Sequence, residues 1–225
     1  MKITWLGQAG LLFEKNGVRI MIDPYLSDSV KKVNPKNYRR VEVANELFEI
    51  KPDIMIFTHN HLDHYDPETV PEFITSDTNM TVLSPNSVWN EVRKIGGNNN
   101  YVMFNRHTTW SEHGISFTAV KAEHSDLYAI GVIIDDGEKK YYVTGDTLYN
   151  EEIFGDIPDD IYAVFLPVNG VGNNMNMIDA KRFCERISPK VAVPVHCGMF
   201  DNIDMNLFEY ENIIVPEIYK EVKFQ

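Results

Sequence analysis

Residues 58–66 read THNHLDHYD. These nine positions hold three of the chain's seven histidines and two aspartates. Such a stretch is either a metal cage or a solvated polar loop, and its surroundings discriminate. Directly upstream, DIMIF (53–57) is a nearly continuous apolar run, as a strand covered on both faces requires. The cluster therefore hangs from the end of a buried strand. His59 and His61 are two apart, and in extended backbone positions i and i+2 point the same way, so both rings reach one ion. Asp63 and His64 fall on the next bend and can turn to a second ion.

The same construction recurs downstream. His124 ends ISFTAVKAEH, Asp146 ends KKYYVTGD and His196 ends KVAVPVH. Four strands thus each finish in a metal-ligating group, and strand ends are where a rigid scaffold presents chemistry. Five of the seven histidines are collected this way, which a chance distribution does not produce. Imidazole with carboxylate suits Zn, Fe, Mn or Ni better than Ca or Mg. Two ions ~3.5–4 Å apart are usual in hydrolytic two-metal sites. Such a pair needs a bridging carboxylate, and Asp146 is the natural candidate, although an aspartate after Gly145 also suits a plain turn. The seven groups divide as three per ion plus a bridge, leaving the open position that catalysis needs.

The bulk properties are those of a soluble globular protein. At 225 residues one domain is the natural count, and 44% apolar content supports a real core. A net charge of -12 argues against nucleic acid as a partner, since that needs a basic face, and against anionic membranes. Two cysteines, Cys184 and Cys197, are too few for a disulfide framework. The opening MKITWLGQAGLLFEKNG reads as two strands around a glycine turn rather than as a signal peptide. No run reaches the ~20 apolar residues of a membrane span. The expected compartment is the cytoplasm.

Strands are expected over 2–6, 11–14 and 17–22, with turns at GQAG and KNG. Asp66 as N-cap and Pro67 at the first helical position predict a short helix after the cluster. MTVLS reads as a strand, and SPNSVWNEVRKIGG as a helix capped by Ser84. Strands dominate 101–145. YAVFLPV and KVAVPV are strands, with Pro194 marking an edge or a strand end. Between them NMIDAKRFCERIS is an amphipathic helix with Cys184 on its apolar face. Cys197 points away from His196 in extended backbone and is not expected to be a ligand, and His113 reads as a surface turn residue. Strand runs interleaved with helices in both halves predict sheets packed face to face with helices outside.

The motif HNHLDH, residues 59–64, matches the His-x-His-x-Asp-His signature of the metallo-β-lactamase superfamily. His124, Asp146 and His196 follow in that superfamily's order, and the chain resembles it from the first strands to His196. The resemblance implies an α/β fold: an αββα sandwich of two mixed β-sheets with helices outside and metals at one edge. It implies one hydrolase domain over residues 1–225. It also implies His59, His61 and His124 on a first ion, Asp63, His64 and His196 on a second, and Asp146 between them. Asp23, in MIDPYLSD, corresponds to the superfamily's early aspartate, which supports the histidine loop. KAEHSD, TGDTLYN, LPVNG and PVHCGMFD look like the branch containing L-ascorbate-6-phosphate lactonase, although this chain is shorter than that lactonase. Relatives of this fold often associate, so a homo-oligomer is compatible with the sequence.

The expected function is a metal-dependent hydrolase. A hydroxide formed from water at two divalent ions attacks a carbonyl or phosphorus centre, with Asp63 and Asp146 as the catalytic carboxylates. Zinc follows from the nitrogen-rich ligands and manganese from the lactonase resemblance; iron and nickel are also compatible. The expected partner is a small molecule, a lactone or phosphoester, phosphorylated if the lactonase branch is the guide. Asn169, Asn173 and Asn174 in VNGVGNNMN are candidate substrate donors, with turn chemistry as their alternative. Arg106 and His107 are candidate pocket residues, and Lys121 a further source of positive charge. The rivals are a non-catalytic metal-binding or sensor protein of the same fold, a phosphodiesterase and a di-iron redox protein.

Overall fold

The computed structural model describes residues 1–224. Among the described residues, twelve strands form two six-stranded sheets, each with its strands in chain order from one edge to the other. The first contains β1 (Lys2–Gly7), β2 (Gly10–Lys15), β3 (Val18–Ile22), β4 (Ile54–Ile56), β5 (Thr81–Ser84) and β6 (Asn100–Met103). The second contains β7 (Thr109–Glu112), β8 (Ile115–Lys121), β9 (Ile130–Asp135), β10 (Lys140–Val143), β11 (Ile161–Pro167) and β12 (Val191–Val195). Both sheets are mixed. β1–β2–β3 and β7–β8–β9–β10 are antiparallel meanders, and the pairings after β3 and β10 are parallel. The KNG turn joins β2 to β3 with Asn16 and Gly17 both at positive φ, 52° and 85°, the backbone that a tight hairpin needs.

Residue alternation makes three layers of packing. Ile20, Ile22, Ile54 and Ile56 point inward and meet Phe117, Val132, Tyr141, Val143 and Phe165 from the second sheet. Their neighbours Met21 and Met55 point outward, under Val70, Phe73, Val88 and Val92 of α2 (Val70–Phe73) and α3 (Asn86–Val92), the helices that follow α1 (Ser29–Val33). On the other side Tyr142 and Val164 face outward against Ala180, Phe183, Cys184 and Ile187 of α4 (Met177–Ile187). This is the expected sandwich with helices outside, in the α/β class.

Two helix starts differ from expectation. Asp66 caps a turn rather than α2: it accepts from Glu68 N at 3.1 Å and from the Thr69 hydroxyl, and α2 begins only at Val70. Pro71 explains the delay. Proline has no N–H, so it fits a helix's first turn but not its interior. Ser84 does not cap α3, because its backbone stays in β5 and its carbonyl accepts from Phe104 N at 2.8 Å; Pro85 takes the cap position. Pro194 does lie in an edge strand, since β12 ends the second sheet.

Strand direction locates the site. β1, β3 and β4 run parallel to one another, as do β8, β10, β11 and β12. Their C-terminal ends release Gln8, Asp23, His59, His124, Asp146, Asn169 and His196, and a parallel arrangement puts those ends along one edge, where α/β sheets bind ligands.

Candidate metal centre

All seven expected ligands meet at that edge. His59, His61 and His124 form one group whose ligand atoms lie within 4.8 Å of one another, and Asp63, His64 and His196 form another. A third group, His59, His64 and Asp146, takes one histidine from each of the other two, which is the arrangement a bridging carboxylate requires.

The spacing is that of donors around an ion. His61 Nδ1 lies 3.1 Å from His124 Nε2. His64 Nε2 lies 3.2 Å from His196 Nε2, and both are close to Asp146 Oδ1, at 3.2 and 3.1 Å. Asp63 Oδ2 is 3.3 Å from His196 Nε2. Tetrahedral ligands 2.0–2.1 Å from an ion sit about 3.3 Å from each other. His59 Nε2 and Asp146 Oδ1 are buried with no hydrogen-bond partner. Buried polar atoms are rarely left unpaired, so a metal gives these two the partner they lack. The residues present fit a pair of nitrogen- and oxygen-liganded ions.

Outer contacts aim each donor. Asp23 is fully buried and lies 2.8 Å from His64 Nδ1. With the proton on Nδ1 donated to Asp23, the Nε2 lone pair faces the cluster. The other Asp23 oxygen accepts from Thr58 N at 2.8 Å, so the expected loop-supporting aspartate has that role. Thr58 Oγ1 is 3.1 Å from His59 Nδ1, and the Asn173 carbonyl lies 3.3 Å from His124 Nδ1. Asn169 Nδ2 lies 3.1 Å from His196 Nδ1. Asn174 Nδ2 donates to Asp146 Oδ2 at 2.9 Å, while its Oδ1 accepts from Thr147 N.

The asparagine loop therefore supports the ligands. Asn174 is buried and both ends of its amide are engaged, which corrects its expected role as a substrate donor. Asn169 is turned to His196, and Asn173 serves through its backbone. Arg106 and His107 are also not in the cluster. Both converge on Asp156, with Arg106 Nε at 2.6 Å and His107 Nε2 at 3.1 Å. The largely buried Asp156 carboxylate holds both there, with opposite charge adding to the Arg106 contact. Lys121 Nζ is paired with Glu123 and Glu152. Cys184 and Cys197 lie in the outer core, where burial pushes both thiols up to about 12; neither is a ligand.

Gln8 escapes sequence reasoning. It is buried, donates to Asp63 Oδ2 at 2.8 Å and approaches His196 at 3.2 Å, while its carbonyl accepts from His196 N and Trp5 Nε1. A glutamine in a GQAG turn carries no local sign of this. The available signal is conformational: Gln8, Asp23 and His196 all have positive φ, 50°, 43° and 64°. Side-chain-bearing residues in the left-handed region cost energy and cluster at functional sites. Gly145 avoids that cost at φ 60°, and a Cβ there would stand 2.9 Å from Ile130 O and from Thr58 Cβ. The glycine before Asp146 is thus needed for close approach of the two sheets.

Charge completes the picture. Burial works against a charged His64, but Asp146, Asp23 and Asp63 outweigh it and hold its pKa well above the ordinary value. Burial likewise opposes a charge on His196, yet Asp146 and Asp63 raise it to about 10. Burial would raise Asp146, and the two histidines instead hold it well below the carboxylate range. Buried carboxylates here demand positive charge. Metal binding supplies it through the same lone pairs and must release protons.

Two mixed sheets face to face, with a His/Asp cluster at their shared loop edge, define the metallo-β-lactamase fold. The family model described as "Beta-lactamase superfamily domain" matches residues 2–196. The chain belongs to that superfamily, and at that level it is a metal-dependent hydrolase. A "UPF0173 metal-dependent hydrolase" from Carboxydothermus hydrogenoformans is 30% identical over 94% of this chain and 91% of its own. Among solved structures, Igni18, a metallo hydrolase from the archaeon Ignicoccus hospitalis, is similar with a TM-score of 0.78 and 23% identity, covering 100% of this chain and 98% of that one. CmlA, a diiron β-hydroxylase from Streptomyces venezuelae, is similar over 92% of this chain and 48% of its own, with a TM-score of 0.71 and 17% identity. Among the described residues, no helix is long and apolar enough to cross a membrane.

Proposed function

We propose that the protein hydrolyses a small ester-like substrate, with a lactone as the first choice and a phosphoester as the second, at a pair of divalent ions. The carrying observation is the overlap of the three ligand groups through His59, His64 and Asp146. In this reading His59, His61 and His124 hold one ion, Asp63, His64 and His196 the other, and Asp146 lies between. Zinc suits this nitrogen-rich set, and the lactonase-like motifs favour manganese. Such ions supply Lewis acidity and bring the pKa of water to about 7.

The chain's own residues do the remaining work. Asp23, Thr58 and the Asn173 carbonyl can accept from Nδ1 of His64, His59 and His124, so that these three imidazoles offer a lone pair inward, while the Asn169 amide packs against His196 Nδ1. Gln8 pins one oxygen of Asp63. Asp63 is then our candidate for orienting the attacking water and passing its proton onward. Asn174 does the same for Asp146, leaving Oδ1 free of competing donors.

The fold also serves di-iron hydroxylation in CmlA, so it does not choose the chemistry by itself. The hydrolase relative at 30% identity favours hydrolysis. A phosphorylated substrate has less support, because Arg106, His107 and Lys121 are spent on acidic partners. The test is a panel of neutral lactones, phosphorylated lactones, phosphodiesters and β-lactams, assayed with Zn and with Mn. Turnover of a lactone that disappears in His61→Ala is the expected result. Metal-dependent cleavage of the phosphodiesters alone would overturn the lactone reading.

A further inference from the structure

The loops that carry the second-sheet ligands also carry uncovered apolar side chains. Leu127 is 93% exposed and Tyr128 51% exposed, three and four residues after His124. Leu148 follows Asp146 by two residues and Val171 follows Asn169 by two, and both are exposed. Scattered exposed apolar residues need no explanation, but a pair that lines a groove together with a metal-ligand side chain does. Leu127 and Tyr128 line an open groove of about 330 Å³ together with Asn60, His61, Ser87, Ser125 and Asp126. The groove thus shares one wall, His61, with the metal-ligand cluster and has two apolar side chains on its other walls.

The groove is built rather than loose. Asp126 accepts from Asn60 N at 3.2 Å, from Ser87 Oγ at 2.6 Å and from Tyr128 N at 2.9 Å. One carboxylate therefore ties the histidine loop, the start of α3 and the 125–128 loop together. Ser125 Oγ lies 3.2 Å from His61 Nε2. Among the described residues no lysine or arginine lines the groove, and Asp126 adds negative charge, so the side chains of its walls do not favour a charged tail.

We propose that this groove is the specificity site of the hydrolase, and that Leu127 and Tyr128 take up a neutral apolar substituent, an alkyl or acyl chain, of the substrate. This rests on the lactone reading above and narrows it to uncharged substrates with an apolar tail. Each buried methylene then strengthens recognition by up to about fourfold.

Binding tests this apart from turnover. A series of acetyl-, butanoyl- and hexanoyl-hydroxamic acids, uncharged in solution near neutral pH and each releasing one proton on binding metal, is titrated by calorimetry into the metal-loaded protein and into Leu127→Ser/Tyr128→Ser. Wild type should gain severalfold in affinity with each two-carbon step, and the double variant should lose that gain while binding acetohydroxamate unchanged. The same series of alkyl lactones should show the slope in kcat/KM. A flat wild-type series, or an equal slope in the variant, would overturn the proposal even if lactones are hydrolysed. Failure of all lactones with the hydroxamate slope intact would instead remove the lactone reading and leave the apolar site standing. Sedimentation of both proteins excludes the remaining occupant: a wild-type dimer dissociated by the double substitution would make the lip a subunit interface and overturn the assignment.

Discussion

The two sheets furnish the metal centre in opposite ways. The first supplies His59, His61, Asp63 and His64 from a single loop after β4, whereas the second supplies His124, Asp146 and His196 from three separate loops. The first-sheet ligands lean on buried side chains of the same sheet, Asp23 and Thr58. The second-sheet ligands lean on one asparagine loop, with Asn169, Asn173 and Asn174 each serving a different ligand. Gln8 crosses over, joining a first-sheet turn to His196. A compact loop can be preformed by local contacts. The dispersed set exists only once the second sheet has assembled against the first, so metal binding and sheet packing are coupled.

That contrast predicts an order of damage. Asp146→Ala removes the group we propose to be shared between the ions and should be the most severe change. Metal affinity should fall by more than the roughly 10- to 100-fold that losing an outer partner costs. Elemental analysis after dialysis, with circular dichroism as the folding control, reads this out; retention of both ions with normal turnover would break the bridge assignment.

Next come the outer supports. Asp23→Ala and Asn169→Ala lie on different sheets, yet both should weaken the ion held by His64 and His196, by about 10- to 100-fold. Competitive chelator titration should show one weakened step and one unchanged step in each variant. If the two substitutions weaken different steps, the division of ligands between the ions is wrong.

The smallest effect concerns the clamp remote from the metals. Burial would raise the Asp156 pKa, but Arg106, the Lys121 N–H and His107 outweigh it and lower it to about 2. A depressed carboxylate contributes stability that is present above its unfolded value near 4 and lost as pH falls toward 2. Asp156→Asn should therefore lower stability at neutral pH modestly and flatten its dependence on pH between about 4 and 2. Urea titrations of metal-free protein across that window measure it, and an unchanged slope would show the clamp to be electrostatically idle. Arg106 is partly exposed, so added salt should shrink the difference.

Legibility differed between the halves for the same reason. HNHLDH announced itself because chelation within one loop needs several donors at short spacing, and short spacing is visible in one dimension. His124, Asp146 and His196 were legible more weakly, each as a polar group ending an apolar run. Their convergence depends on β8, β10 and β12 running the same way, which no local pattern encodes. The outer partners were the least legible. Asn174 in an asparagine-rich loop looked like a donor to substrate, and only packing turned its amide onto Asp146. Gln8 is silent in the sequence and visible only in the folded backbone, since its contacts lie 55 and 188 residues away in the chain.

The sequence by itself determined the strand periodicity, the layered α/β class and the seven candidate ligands, because side-chain alternation and donor chemistry are properties of short segments; the supporting role of Asp23 came from the family resemblance alone. Tertiary structure alone decided which side chains stay free. It committed Arg106, His107 and Lys121 to acidic partners, committed the asparagine loop to the ligands, and left Leu127 and Tyr128 uncovered beside His61. The physical reason is competition: a polar or charged group takes the strongest partner within reach, and what lies within reach is known only when the two sheets are packed.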